Sequence, residues 1–100
     1  MNDIYIYIYT MMLNKYLVEF FGSAFFIYII LATGNPIAIG AALAFVMLLA
    51  MNISGGHINP VVTITMAAAG KIQNTEIIPY CISQILGGLV ALELYKRITL

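Results

Sequence analysis

Few side chains in this sequence can do chemistry, and they lie far apart. Glu19 stands alone in an apolar run. Ser54-Gly55-Gly56-His57-Ile58-Asn59-Pro60 forms one glycine-rich polar stretch, and Cys81 and Gln84 sit in a later apolar run. Hydrogen bonding is the chemistry such groups offer: amides donate and accept, and a carboxylate accepts. A charge in an apolar segment needs a partner, so Glu19 reads as a hydrogen-bonded brace, an interfacial charge or a proton site. Gln84 reads as a buried hydrogen-bonding group. His57 has no second ligand nearby and Cys81 is the only cysteine, so neither a metal site nor a disulfide framework is expected. A lone thiol among apolar residues simply packs. There is no nucleophile with a base, no acid–base pair and no cofactor motif, so an enzyme is not expected and no cofactor is implied.

The surroundings of these residues identify their solvent. Of the 100 residues, 63% are hydrophobic and only 8% charged, and mean hydropathy is +1.02. An average soluble domain is about 45–50% apolar and about 25% charged. One compact unit of this size still needs a polar surface, and eight charged groups cannot supply it. The chain reads as an integral, multi-pass membrane protein whose first partner is lipid. Four cations balance four anions, so no basic face exists for nucleic acid.

The N-terminus lacks a basic n-region and a small-residue cleavage site, so the first span is expected to act as an uncleaved anchor. Ile4 to Tyr9 alternates Ile and Tyr with a period of two, which suits a strand. AT-rich DNA read upstream of the start gives the same dipeptides, and Met11 or Met12 is then the better initiator. Residues 1–12 are therefore set apart as a poorly defined extension with no function assigned.

Charge spacing and breakers organise the rest. From Phe20 to Gly70 there are 51 residues without Asp, Glu, Lys or Arg, too many for one helix at about 20 residues per span. Thr33-Gly34-Asn35-Pro36 divides a first span, about 14–32, from a second, about 37–53. Residues 54–70 follow as a loop and a short segment ending at Gly70-Lys71, a C-cap followed by a cation. Asn74 or Thr75 caps the last span, about 76–95. Small residues (Gly22, Gly40 with Ala44, Gly87 and Gly88 with Ala91) read as close-packing sites between helices.

Residues 60–69 are the informative segment. At 1.5 Å rise they cover about 15 Å, half of a roughly 30 Å hydrocarbon core. They are too short to span and too apolar for water. A half-helix that re-enters the membrane satisfies both constraints. Non-helical backbone at that depth must line a cavity or be covered by protein, so the loop from Ser54 to Asn59 is expected to turn its carbonyls toward something polar. Asn59 is a strong N-cap, and Pro60 at the first helical position loses no hydrogen bond. The positive end of the helix dipole then points at the bilayer centre. The fold class is all-α: three transmembrane helices and one re-entrant half-helix.

Ser54-Gly55-Gly56-His57-Ile58-Asn59-Pro60-Val61-Val62-Thr63 resembles the first signature loop of the aquaporin and glycerol-facilitator family, written S-G-x-H-x-N-P-A-V-T. Val18-Glu19-Phe20-Phe21-Gly22-Ser23 resembles the A-E-F-x-G-T start of its first helix. Ile82-Ser83-Gln84-Ile85-Leu86-Gly87-Gly88 resembles the A-Q-x-x-G-A/G start of its third. The likeness covers about residues 13–97, the first of the family's two inverted repeats. Val61 stands where alanine is usual, and the second signature loop with its filter arginine has no counterpart in residues 1–100.

The resemblance implies roles residue by residue. Asn59, Pro60 and Val61 would lie at the pore centre, with the Asn59 amide donating to a passing solute. The carbonyls of Gly55, Gly56, His57 and Ile58 would form an acceptor ladder leading to it. Ile39 would sit in the outer selectivity filter, and Phe26 and Leu43 on the apolar pore wall. Glu19 would brace the half-helix loop, with Gln84 as a second structural buried polar group. The implied function is half of a passive channel for water or small neutral solutes such as glycerol, completed by a second copy (an antiparallel pair, for instance) or by a complementary half. The alternative is a non-conducting fragment from a truncated or split gene that only interacts with other channel subunits. A helical-bundle transporter of unrelated type would need the signature loop to be accidental. In the family orientation Lys15 and Lys71 lie inside and Lys96 and Arg97 outside, so the positive-inside rule gives almost no preference.

Overall fold

The computed structural model describes residues 2–98, and every regular element in them is helical: α1 (Asp3–Thr33), α2 (Pro36–Ala50), α3 (Pro60–Ala68) and α4 (Ile77–Arg97), with a 3₁₀ turn at Asn74–Glu76 before α4. The boundaries have local causes. Gly34 closes α1 in the left-handed region at φ 55°, a conformation that glycine adopts without penalty. Asn35 then caps α2, its Oδ1 accepting from Ile37 N at 2.9 Å and Ala38 N at 3.1 Å, with Pro36 at the first helical position. The same device starts α3, where Asn59 Oδ1 accepts from Val61 N at 2.8 Å. Gly70, at φ 76°, ends it, with bonds from Lys71 N to Met66 O and from Gly70 N to Ala67 O, the pairing of a Schellman cap.

Three element boundaries differ from the sequence expectations. The Tyr/Ile repeat is neither a strand nor a separate extension: Asn2 Oδ1 caps Ile4 N at 3.0 Å and α1 runs unbroken from Asp3. With no neighbouring strand among the described residues, the helix alone satisfies that backbone. The second apolar segment leaves helix at Ala50, because residues 51–54 form turns closed by Ile53 N and Ser54 N onto Ala50 O. Neither Asn74 nor Thr75 caps α4, which enters through the 3₁₀ turn without a side-chain cap.

α1 is the hub, packing on α2 and α4, and α3 packs on α4. A Cβ on Gly87 would collide with the Phe20 carbonyl and lie 3.1 Å from Ala24 N, so α1 and α4 meet backbone to backbone there. Gly40 differs: a Cβ would meet nothing within 4 Å, and both it and Ala44 are exposed. The small-residue reading fails at that site within a single chain.

Burial is inverted relative to a soluble domain. The largest fully buried side chains are Glu19, Thr63 and Ser23, while Ile37, Leu48, Ile78 and Val61 face outward. Hydrocarbon as solvent explains both halves of that pattern. α1 and the 24 residues from Asn74 to Arg97 are long and apolar enough to cross a membrane; α2, at 15 residues, is a shorter apolar helix. Lys15 Nζ lies 3.4 Å from Glu76 Oε1 and Tyr16 donates to Glu76 Oε2 at 3.2 Å, fixing one membrane level at the start of α4. At its far end Tyr28 donates to Ile98 O at 3.0 Å.

Candidate functional site: a re-entrant loop on a buried carboxylate

Glu19 is fully buried and accepts four hydrogen bonds, two on each oxygen. Oε1 receives Ile58 N at 2.9 Å and Gln84 Nε2 at 2.8 Å. Oε2 receives Ser54 Oγ at 2.6 Å and His57 N at 3.1 Å. One carboxylate thereby joins α1, the loop and α4. Such charge-assisted bonds are about twice as strong as neutral ones, and here they replace the hydration that a charge loses in the bilayer.

A second layer supports the first. Ser54 Oγ also accepts from Gly56 N at 3.1 Å, and Tyr80 donates to Ser54 O at 2.8 Å. Gln84 Nε2 reaches Thr63 Oγ1 at 2.9 Å, and Thr63 Oγ1 lies 2.9 Å from His57 Nδ1. The Tyr80 ring packs 4.9 Å from the His57 ring, centroid to centroid. Ser54, Thr63 and Tyr80 were not singled out as site residues from the sequence. Ser54 and Thr63 open and close the signature stretch, which marks them without giving a role, whereas a tyrosine in a span carries no signal of its own.

The loop itself is unusual. Gly55, Gly56 and Ile58 hold φ of 90°, 62° and 58°. Ile58 is β-branched, and that region costs such a residue on the order of 1–3 kcal/mol. Its N–H bond to Glu19 and its side chain, seated over Gly22, hold it there. The result is a one-sided backbone. Gly55 N donates to Met51 O, Gly56 N to Ser54 Oγ, and His57 N and Ile58 N to Glu19. Among the described residues, nothing donates to the carbonyls of Gly55, Gly56, His57 or Ile58.

A groove of about 280 Å³ adjoins the end of this loop, lined among others by Ser23, Phe26, Ile58, Asn59, Pro60 and Gln84. Asn59 is exposed; its Oδ1 is taken by the cap, and among the described residues its Nδ2 has no acceptor. Ser23 and Phe26 lie midway along α1 between Lys15 and Thr33, so Asn59 shares the groove with the middle of that helix. The structure thus gathers Glu19, Gln84, Gly56, His57 and Ile58 into one network, and Phe26, Asn59 and Pro60 along one groove. Gly55 is in the same loop. Val61 points outward, and Ile39 and Leu43 are half-buried on α2, outside the groove. Ser23 Oγ and Gln84 Oε1 are buried without a partner among the described residues. Among the described residues no group of His, Cys, Asp and Glu could hold a metal ion.

Membrane-crossing helices and a half-helix entered through an Asn-Pro cap define an all-α membrane protein repeat. The chain belongs to the major intrinsic protein family, whose family model matches residues 8–100. It is 35% identical to Aquaporin-8 of Notomys alexis over 102 residues, covering 91% of this chain and 39% of that protein. It is 43% identical over 58 residues to Aquaporin Z of Photorhabdus laumondii, covering 58% of this chain and 25% of the relative. With Glycerol uptake facilitator protein-like 6 of Lactiplantibacillus plantarum it shares 35% identity over 88 residues, 79% of this chain and 41% of the relative. The chain therefore spans well under half the length of these curated relatives. No solved structure matches it at a significant level.

Proposed function

We propose that this chain forms one wall of a passive channel for water or small neutral solutes, completed by a second copy or by a complementary half. The carrying observation is the one-sided loop. All four N–H groups of residues 55–58 are engaged inside the protein, while their four carbonyls have no donor among the described residues. At the end of that row the Asn59 amide nitrogen faces an otherwise mostly apolar groove. A dehydrated solute there exchanges its water bonds for a row of acceptors and one donor, and moves on because no single contact is strong. The half-helix dipole directs positive potential at the same point and disfavours cations. The names of the relatives, aquaporins and a glycerol uptake facilitator, fit that solute class. The groove is open rather than enclosed, which is why a second wall belongs to the reading, and the chemistry requires no catalytic group.

Stopped-flow swelling of proteoliposomes containing the purified chain tests the proposal. Water or glycerol flux above that of protein-free vesicles supports it. Flux equal to the control supports a non-conducting fragment instead.

A further inference from the structure

We propose that Thr63 is a positioning residue that fixes the tautomer of His57. The geometry points to a directed chain: Gln84 donates to Thr63 Oγ1, Thr63 donates to His57 Nδ1, and the neutral imidazole carries its proton on Nε2.

The direction follows from Gln84. Its Nε2 lies 2.8 Å from Glu19 Oε1 and 2.9 Å from Thr63 Oγ1. Turning the amide over would set its carbonyl oxygen against the carboxylate, acceptor against acceptor, so the nitrogen faces Glu19. Both amide hydrogens are then committed, one to Glu19 and one to Thr63. This also accounts for Gln84 Oε1, which is left buried without a partner among the described residues.

Thr63 comes next. Its side chain is fully buried and its oxygen already accepts from Gln84. Its single hydroxyl proton needs an acceptor, and His57 Nδ1 at 2.9 Å is the one the described residues provide. The reverse arrangement, with Nδ1–H donating to Thr63, would leave the buried hydroxyl proton without an acceptor among the described residues. That penalty corresponds to an excess of about tenfold or more for the Nε2 tautomer. The ring edge carrying Nε2 lies against Gly55, 3.2 Å from where a Cβ on that residue would sit.

Nδ1 is therefore tethered to α3, and the ring face packs on Tyr80, whose hydroxyl holds Ser54. The imidazole becomes a fixed strut beside the backbone of residues 55–58. The consequence for flux rests on the channel reading above, whereas the tautomer does not.

His57 is the only histidine, so solid-state ¹⁵N NMR of the full chain, histidine-labelled and reconstituted in lipid, reads one imidazole. The expected spectrum has a protonated Nε2 and a bare Nδ1 in about tenfold excess or more. Thr63→Val, close in volume but without the hydroxyl, should collapse that excess and bring a several-fold loss of flux. Thr63→Ser should restore both. A wild-type ring protonated at Nδ1 overturns the proposal, as does a Thr63→Val spectrum unchanged from wild type. The wild-type spectrum needs no variant, so misfolding of Thr63→Val leaves the test in force. A wild-type chain with the Nε2 tautomer and no flux supports the positioning role and overturns the channel reading.

Discussion

Ile58 sits over Gly22 as a side chain over bare backbone: a Cβ on Gly22 would lie 2.7 Å from Ile58 Cδ1 and 2.8 Å from Val46 Cγ1. Gly22→Ala must therefore push on the loop and α2 together. It is expected to lower stability by about 1–3 kcal/mol and to reduce flux. Gly40→Ala, whose Cβ meets nothing, should do neither. Thermal unfolding in detergent, followed by circular dichroism, compares the two; equal melting would contradict the packing described for Gly22.

Glu19→Gln keeps the shape of the side chain but replaces one acceptor oxygen with a donor. Whichever way the new amide turns, its NH₂ faces two donors, either Ile58 N with Gln84 Nε2 or Ser54 Oγ with His57 N. At least one buried N–H loses its partner, at about 1–3 kcal/mol per orphaned group. Stability and flux should fall together, and a variant that melts like wild type would count against the bracing role.

Asn59→Asp separates capping from conduction. An aspartate oxygen can still accept from Val61 N, as Asn59 Oδ1 does at 2.8 Å, because Asp is as good an N-cap as Asn. The amide donor disappears and a charge enters the groove. Swelling rates should drop with expression and melting little changed. Parallel loss of folding and flux would limit Asn59 to a structural role.

Ile39 and Met47 both lie half-buried on α2. In an antiparallel pair each mouth would combine Ile39 of one copy with Met47 of the other, an apolar constriction without a fixed cation. Such a mouth replaces little of the hydration that water loses, so glycerol-sized neutral solutes should be tolerated and water selectivity weak. Ile39→Phe should narrow the mouth and shift the glycerol-to-water flux ratio toward water. Wild-type vesicles that pass water and reject every larger neutral solute would contradict this mouth.

An antiparallel pair also requires two orientations of one sequence. In the family orientation Lys15 and Lys71 would face one side and Lys96 and Arg97 the other, two cations against two, so reporters fused to the C-terminus should be active on both sides of the membrane. Activity confined to one side would remove the antiparallel form.

Much of the fold is legible because its punctuation is local. Gly34-Asn35-Pro36, Asn59-Pro60 and Gly70-Lys71 each carry the cap that the structure shows, and residues 60–69 are too few to span. What is not legible depends on distant partners. Ile58 in the left-handed region contradicts its own propensity and is held by Glu19 and Gly22, nearly 40 positions away. Thr63 and Tyr80 join the network only through residues of other elements. At Ile4 to Tyr9 the period-two pattern yields to helix, since among the described residues a strand there has no neighbour to pair with. Gly40 shows the opposite failure, a small residue whose Cβ would meet nothing among the described residues.

The four donors that surround Glu19 are made long after it. Ser54 follows by 35 residues, His57 by 38, Ile58 by 39 and Gln84 by 65. At about 5–20 residues per second, the ribosome needs roughly 2–8 s to reach the loop and 3–13 s to reach Gln84. For that interval α1 carries an acidic side chain with none of its eventual partners. Its settling into lipid is thus coupled to the arrival of α4, and biogenesis of the repeat ends with the last helix rather than the first.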